Sequence, residues 1–342
     1  MTVVVWRYLL LPLAPIYRGA VAARCAAYRR GWMQSARLDV PVISVGNLTF
    51  GGTGKTPAVI ALARDLVRMG RWPAVLTRGY KRLEEGQVVV VGPDPRQTAA
   101  EVGDEPLEMA RRLPGVPVVV DADRARGGAE AERLGADVVL LDDGFQHLQL
   151  ARDLDLVVVD AGEPWGGGRL PPLGRLREPL TALERADAVL ITKVPVEWRP
   201  VVAEIESVVD RVAPRLQIFV SRLRPNRVHV PGEGWREPNI LSGRRVVAFA
   251  ALGRPDGFAT TLTEAGAEIA ATKWYPDHHA YTDRELSEIS DQAAAASAVP
   301  VTTAKDAVKL PPETGVWVVE AVVEPIEGSW NGLWRLLPEV RS

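Results

Sequence analysis

A single cysteine, Cys25, stands among 342 residues, which excludes an intrachain disulfide and any cysteine-based metal cluster. That scarcity fits a reducing compartment. Histidine is also rare: His147, His229, His278 and His279 are the whole supply. A net charge of −2 gives no electrostatic bias toward nucleic acid, and no nucleic-acid partner is expected. Long apolar runs are missing too. A spanning helix needs about 20 apolar residues, and the most apolar stretch, "YLLLPLAPIY" at 8–17, is closed off by Arg7 and Arg18.

Acidic residues are absent from Met1 to Leu38, where Arg7, Arg18, Arg24, Arg29, Arg30 and Arg37 are all basic. One reading is a buried first helix carrying surface arginines. The other, which the pattern favours, is an interfacial anchor with apolar groups in the acyl boundary and arginines on anionic headgroups. A secretory signal is disfavoured, because a phosphate-binding motif follows closely and must stay on the ATP side.

From Val40 to about Leu223, short β-branched runs alternate with helix-like stretches. "VPVISV" (40–45), "PAVLT" (73–77), "VPVVVD" (116–121), "ADVVLLD" (136–142), "LDLVVVD" (154–160) and "ADAVLIT" (186–192) read as strands buried on both faces. Helices are expected over 57–69, 105–113, 124–134 and 198–212. The alternation implies an α/β, doubly wound, mostly parallel sheet; the glycine loop at 44–57 makes it of P-loop NTPase type. The Pro- and Gly-rich stretch to Arg244 reads as a linker with room for a hairpin around Asn226. Beyond it the alternation resumes in a second, smaller α/β domain. The expected division is 1–38, a membrane-associating amphipathic helix; 39–223, the larger domain with the glycine loop; 224–244, the linker; and 245–342, the smaller domain.

The strongest motif is "SVGNLTFGGTGKTP", 44–57. A buried strand ends, Gly51, Gly52 and Gly54 free the backbone of Cβ clashes, and a helix begins. Backbone N–H groups at such a helix start cradle polyphosphate. The cradle is Thr49, Phe50, Gly51, Gly52, Thr53, Gly54, Lys55 and Thr56, with Lys55 reaching the β- and γ-phosphates and Thr56 a Mg²⁺ ligand. Thr49 stands where the usual pattern has glycine. In "VVLLDDGFQH" (138–147) a buried strand delivers two carboxylates at its C-terminal end, where P-loop enzymes hold Mg²⁺. Asp142 and Asp143 leave an extended strand on opposite sides, so at most one binds metal directly. For His147 a structural and a catalytic role both stay open. "VGDEP" (102–106) sets Asp104 and Glu105 in a helix's first turn, where the dipole favours carboxylates with or without function. "YPDHHAY" (275–281) puts His278 and His279 beside Asp277. Adjacent rings on an extended segment do not both face one point, so one is a bystander.

Together these motifs resemble the tetraacyldisaccharide 4′-kinase family, the lipid A 4′-kinases, over nearly the whole chain. The basic N-terminal segment, the glycine loop, "GDEP" at 103–106, "DDGFQH" at 142–147, "LREP" at 176–179, "PDHHAY" at 276–281 and "TRGY" at 77–80 all fit. "TTAKDAVKL" (302–310) departs, with Ala304 where the family usually has Glu. The resemblance implies ATP and Mg²⁺, a lipid disaccharide 1-phosphate acceptor phosphorylated at its 4′-hydroxyl, a monomer, and a place at the cytoplasmic face of the inner membrane on anionic lipid. It implies that Asp104 activates the hydroxyl with His278 as partner. Asp142, Asp143 and Glu178 become the magnesium-side carboxylates. Glu105, Arg124, Arg177, Gln146 and His147 become groups that hold substrate or the transferring phosphate. Two other classes fit less well. Partitioning ATPases carry a signature lysine where Phe50 stands, and GTPases read guanine with residues that Thr192 and Pro195 replace in "ITKVP" (191–195).

Overall fold

The computed structural model describes residues 13–79, 86–90, 92, 96–311, 314–326 and 329–337. Residues 1–12, which hold Arg7 and half of the apolar stretch, lie outside the described residues, as does Tyr80 of "TRGY". Helix α1 spans Leu13–Arg29. The first half of the sheet is β1 (Val42–Gly46), β2 (Pro73–Thr77), β3 (Val88–Val90), β4 (Val118–Val120), β5 (Val138–Asp142), β6 (Leu154–Asp160), β7 (Ala188–Thr192) and β8 (Gln217–Val230). Helices α2 (Lys55–Arg68), α3 (Ala99–Val102), α4 (Asp104–Arg112), α5 (Arg124–Arg133) and α6 (Arg199–Val212) connect them. The second half holds β9 (Gly234–Arg236), β10 (Arg245–Ala251), α7 (Asp256–Glu264), β11 (Glu268–Tyr275), α8 (Asp283–Ala295), β12 (Val299–Thr303), α9 (Ala304–Ala307), β13 (Trp317–Pro325) and α10 (Asn331–Trp334).

Every residue of β1, β2, β5, β6 and β7 is buried, as continuous apolar runs in a parallel sheet require. The order is β11-β10-β12-β13-β8-β7-β6-β1-β5-β2-β4-β3, with β9 paired to β8. Strand β1 lies between β5 and β6, parallel to both, so the loops that follow these three strands open on one crevice. Gly46 at the end of β1 is a close-approach position: a Cβ there would sit 2.4 Å from the Phe145 Cβ and 2.6 Å from its backbone nitrogen. The missing side chain lets the "DDGFQH" loop settle onto the strand that feeds the phosphate loop.

Up to Val230 the segment read as a linker is strand. Residues Gln217–Val220 pair parallel with β7, and Ser221–His229 continue antiparallel along β13. The Pro225–Asn226 turn signal is spent on a register shift opposite Glu320–Ala321, a bulge at which Asn226 has no partner in the ladder. The hairpin turn falls later, between Val230 and Gly234, with Glu233 N–H donating to the Val230 carbonyl.

One ionic cluster ties the halves together. Glu320 on β13 is fully buried, with Arg64 of α2 at 2.9 Å, Arg227 of β8 at 2.8 Å and Arg112 of α4 at 3.7 Å. Burial opposes its charge, but Arg112 and Arg64 prevail and hold the carboxyl below its ordinary value. Glu320→Ala leaves these cations without their counter-charge, so it is expected to cost about 3–5 kcal/mol of stability. Thermal or denaturant unfolding checks this, and an unchanged midpoint contradicts it.

Candidate active site

The loop between β1 and α2 is closed by its own side chains. The Asn47 amide donates to the Thr49 carbonyl (2.8 Å) and the Thr53 hydroxyl (3.0 Å). Gly51 and Gly54 adopt φ of 115° and 92°, the left-handed region that favours glycine. Thr49 is outside that region; it is buried and bridges Leu176, so the position needs no glycine. Residues of "ITKVP" brace the loop from below. The Thr192 hydroxyl donates to the Thr53 carbonyl (2.9 Å), and Lys193 donates to the Gly52 carbonyl (2.7 Å) and to Asp160 (2.8 Å). The first turn of α2 has N–H groups with no intrahelical partner, and they face the cavity with a partial positive charge.

That cavity, about 1050 Å³, lies between the two halves of the molecule. Phe50 to Thr56, Glu105, Arg124, Asp142, Asp143, Gln146, His147, Arg177, Glu178 and His278 line it. Thr49 and Asp104 do not line it. Thr49 sits behind the loop. Asp104, at the start of α4, is reached through His278, whose Nδ1 is 3.1 Å from Asp104 Oδ2.

The two strand-end carboxylates part company. Asp142 ends β5, buried, and its Oδ2 accepts from the Thr77 hydroxyl at 3.0 Å. Its Oδ1 meets no hydrogen-bond donor among the described residues. Burial, with the charges of Glu105 and Asp143 adding, pushes its carboxyl up to about 7. At Asp143 the backbone turns left-handed, φ 51°, and the side chain leaves the strand. Burial works against its charge, but Lys55 (3.5 Å) and Arg177 (2.8 Å) prevail and hold its carboxyl below the ordinary value.

Arg177 also donates to Gln146 (3.3 Å) and stacks over the Phe50 ring (5.4 Å). Arg124, buried at the start of α5, has a side-chain nitrogen without a partner among the described residues, and burial brings its guanidinium down to about 10, still charged at neutral pH. Burial, reinforced by Arg124 and Arg24, brings the His147 imidazole down to about 4, so at pH 7 it is neutral. Glu178 departs from the expected metal ligand: both of its oxygens accept from Arg185, at 2.7 and 2.8 Å, and Cys25 Sγ lies 3.7 Å away. His279 is likewise committed, to Glu285 at 3.0 Å and to a stack on Tyr275 at 4.7 Å.

No group of three acidic, His or Cys side chains poised to hold a metal occurs among the described residues. The donors suit a cation shared with a polyphosphate, which Mg²⁺ favours: an orphan oxygen on buried Asp142, and Thr56 at the head of α2 on the same cavity.

The chain as a whole is similar to known proteins. A family model described as LpxK, tetraacyldisaccharide-1-P 4′-kinase, matches residues 6–337. The chain belongs to the LpxK family. Similar relatives include the tetraacyldisaccharide 4′-kinase of Anaeromyxobacter sp. (strain Fw109-5), 45% identical over 301 residues, covering 87% of this chain and 81% of that one. The namesake from Geobacter metallireducens is 43% identical over 314 residues, covering 89% and 88%. The chain is also similar to a crystal structure of LpxK from Aquifex aeolicus in complex with ATP, with 32% identity and a TM-score of 0.77, covering 98% of this chain and 99% of that one.

Several residues of this LpxK site carry no motif that gives them a role. Lys193, Asp160 and Arg185 carry no signature of their own. Tyr17, Val21, Arg24 and Cys25 of α1 line the cavity, and the Tyr17 hydroxyl donates to the Arg177 carbonyl at 2.8 Å. Helical spacing of Tyr17, Val21, Arg24 and Cys25 was the available signal.

Proposed function

We propose that the protein transfers the γ-phosphoryl group of ATP to the 4′-hydroxyl of a tetraacylated glucosamine disaccharide 1-phosphate, the lipid A biosynthesis step that yields lipid IVA. The observation that carries this is the Asp104–His278 pair at 3.1 Å, set across one cavity from a phosphate loop. The loop and the start of α2 hold the triphosphate, and Lys55 meets the charge that develops on the transferring group. The hydroxyl proton passes to Asp104 through His278, the member of the pair that lines the cavity. Arg177 and Arg124 face phosphate oxygens, while Gln146 and neutral His147 offer uncharged hydrogen bonds to the acceptor. Bound by Asp142 and Thr56, Mg²⁺ would neutralise phosphate charge. Glu178 keeps Arg185 and α1 in place. Glu105 adds negative charge beside Asp142 and acts on the acceptor side. ATP turnover by the purified protein is expected to require an acylated disaccharide acceptor. Turnover driven instead by self-association, without acceptor, contradicts the kinase reading and favours a membrane-associated partitioning-type switch.

We further infer that the protein is a monomer that works as a peripheral or monotopic protein on anionic lipid at the cytoplasmic face of the inner membrane. No described helix is long and apolar enough to cross a membrane. Supporting an interfacial α1 are its exposed Ile16 (67%), the exposed Trp32 (73%) just beyond it, and Arg30 over the Trp32 ring at 5.1 Å. Arg18, Arg29 and Arg30 are exposed and do not line the cavity. Replacing these three by Gln is expected to weaken binding to anionic vesicles by about 3 kcal/mol, on the order of 10²-fold. High salt should weaken the parent protein in part, leaving the apolar contribution. Undiminished sedimentation of the triple variant with vesicles places the anchor elsewhere.

A further inference from the structure

The stretch "TTAKDAVKL" has no part in the mechanism above, yet it lies against the loop that carries His278. Strand β12 ends at Thr303, whose hydroxyl accepts from the Asp306 N–H and caps α9. Buried Asp306 accepts in turn from the Ala251 N–H at the end of β10 (3.1 Å), which roots the short helix in the sheet. Lys305 lies in the helix and Lys309 in the turn that follows it, where its N–H bonds the Asp306 carbonyl. Lys305 Nζ donates to Asp277 Oδ1 at 2.8 Å, and Lys309 Nζ donates to the His279 carbonyl at 3.0 Å. The two ammonium groups grip the loop at the residues flanking His278.

Between those grips His278 has φ 65°, a conformation that residues with a Cβ adopt only where their surroundings impose it. Its Nδ1 is 3.1 Å from Asp104, and its Nε2 is 3.8 Å from the other oxygen of Asp277. Lys305 is mostly enclosed, its side chain 17% exposed. Burial alone favours the neutral amine, but Glu105 and Asp277 reverse this and hold the ammonium above its ordinary value. Lys309 is itself fixed by Asp306 at 2.6 Å and lies over the Tyr281 ring at 5.1 Å. Neither lysine swings freely.

We infer that Lys305 and Lys309 form a clamp that holds His278 in its left-handed conformation against Asp104, and that Lys305 is a positioning residue for proton transfer, acting through Asp277. The clamp presupposes that Asp104 and His278 serve as the base. A ring hydrogen-bonded to Asp104 at one nitrogen, with the lysine-pinned carboxylate of Asp277 3.8 Å from the other, stays aimed as the cleft opens and closes. Loss of the pin leaves the loop free to relax toward ordinary backbone angles, which carries the imidazole away from Asp104.

The test compares Lys305→Met, Lys305→Arg, His278→Ala and the Lys305→Met/His278→Ala pair, in the full chain with ATP, Mg²⁺ and a detergent-dispersed acylated disaccharide 1-phosphate. Lys305→Met is expected to lower kcat roughly 10- to 100-fold, as misplacement of a catalytic group by about 1 Å does, with KM for ATP unchanged. Lys305→Arg keeps the ion pair and should recover most of the loss. The double variant should be no worse than His278→Ala. Normal kcat in Lys305→Met beside an impaired His278→Ala overturns the clamp and leaves the base reading standing. Normal kcat in His278→Ala overturns the base reading and the clamp with it. A raised KM for ATP or lipid at unchanged kcat makes Lys305 a ligand contact and overturns its positioning role. Where Lys305→Met does not fold, Asp277→Asn removes the same ion pair with little change of shape and is read in the same way.

Discussion

Lys55→Ala is expected to lower the turnover of lipid phosphorylation by on the order of 10²–10³ while leaving the fold intact. The lysine opens α2 with its side chain 14% exposed on the cavity, and its ammonium group lies 3.5 Å from Asp143. In a site partly closed to water, a cation aimed at the transferring phosphate stabilises charge that appears only in the transition state. Its loss also removes one of the two cations that hold Asp143 ionised, Arg177 being the other. The helix itself does not depend on Lys55, because Ala58 N–H bonds the Gly54 carbonyl at 3.1 Å whatever the side chain. Steady-state kinetics beside a thermal melt check this. Near-normal lipid kinase activity in a folded Lys55→Ala protein removes the phosphate loop from the mechanism.

A loss of comparable size is expected at the base. A sugar hydroxyl does not ionise near neutrality, so a positioned proton acceptor contributes roughly 10²–10⁴ to the rate. Asp104→Ala and His278→Ala should each lower kcat by that order with modest changes in KM for ATP. Because the two groups act as a unit, joined at 3.1 Å across the cleft, the double variant should be little worse than the poorer single one. His279→Ala should spare the chemistry. Its ring is bonded to Glu285 and stacked on Tyr275, so its removal is expected to cost about 1 kcal/mol of stability instead. Multiplicative losses for Asp104 and His278 rule out the pair, and an inactive His279→Ala beside an active His278→Ala makes His279 the partner.

Residues adjacent in sequence were the ones legible without coordinates. The strand–loop–helix order around 44–57, the burial of β5 up to Asp142, and the helix starting at Asp104 all follow from local periodicity and glycine placement. What local pattern does not encode is which distant segment supplies the partner. Strand β8 is mixed polar and apolar along its antiparallel part because its residues face alternately inward and outward, and a bulge absorbs Pro225 and Asn226. Without β13 beside it, the same string reads as a linker. The family resemblance implied a metal-side role for Glu178, whereas Arg185, seven residues on, takes both of its oxygens. Lys193 carries no local signal at all for its bond to Gly52, 141 residues away.

The most direct test of the central claim is incubation of the purified protein with ATP, Mg²⁺ and a detergent-solubilised acylated glucosamine disaccharide 1-phosphate, followed by mass spectrometry and location of any new phosphate on the sugar. One added phosphate at the 4′ position, formed only with ATP and lost in Lys55→Ala, is the predicted result. An unmodified acceptor beside sustained ATP hydrolysis, or phosphate at another hydroxyl, contradicts it.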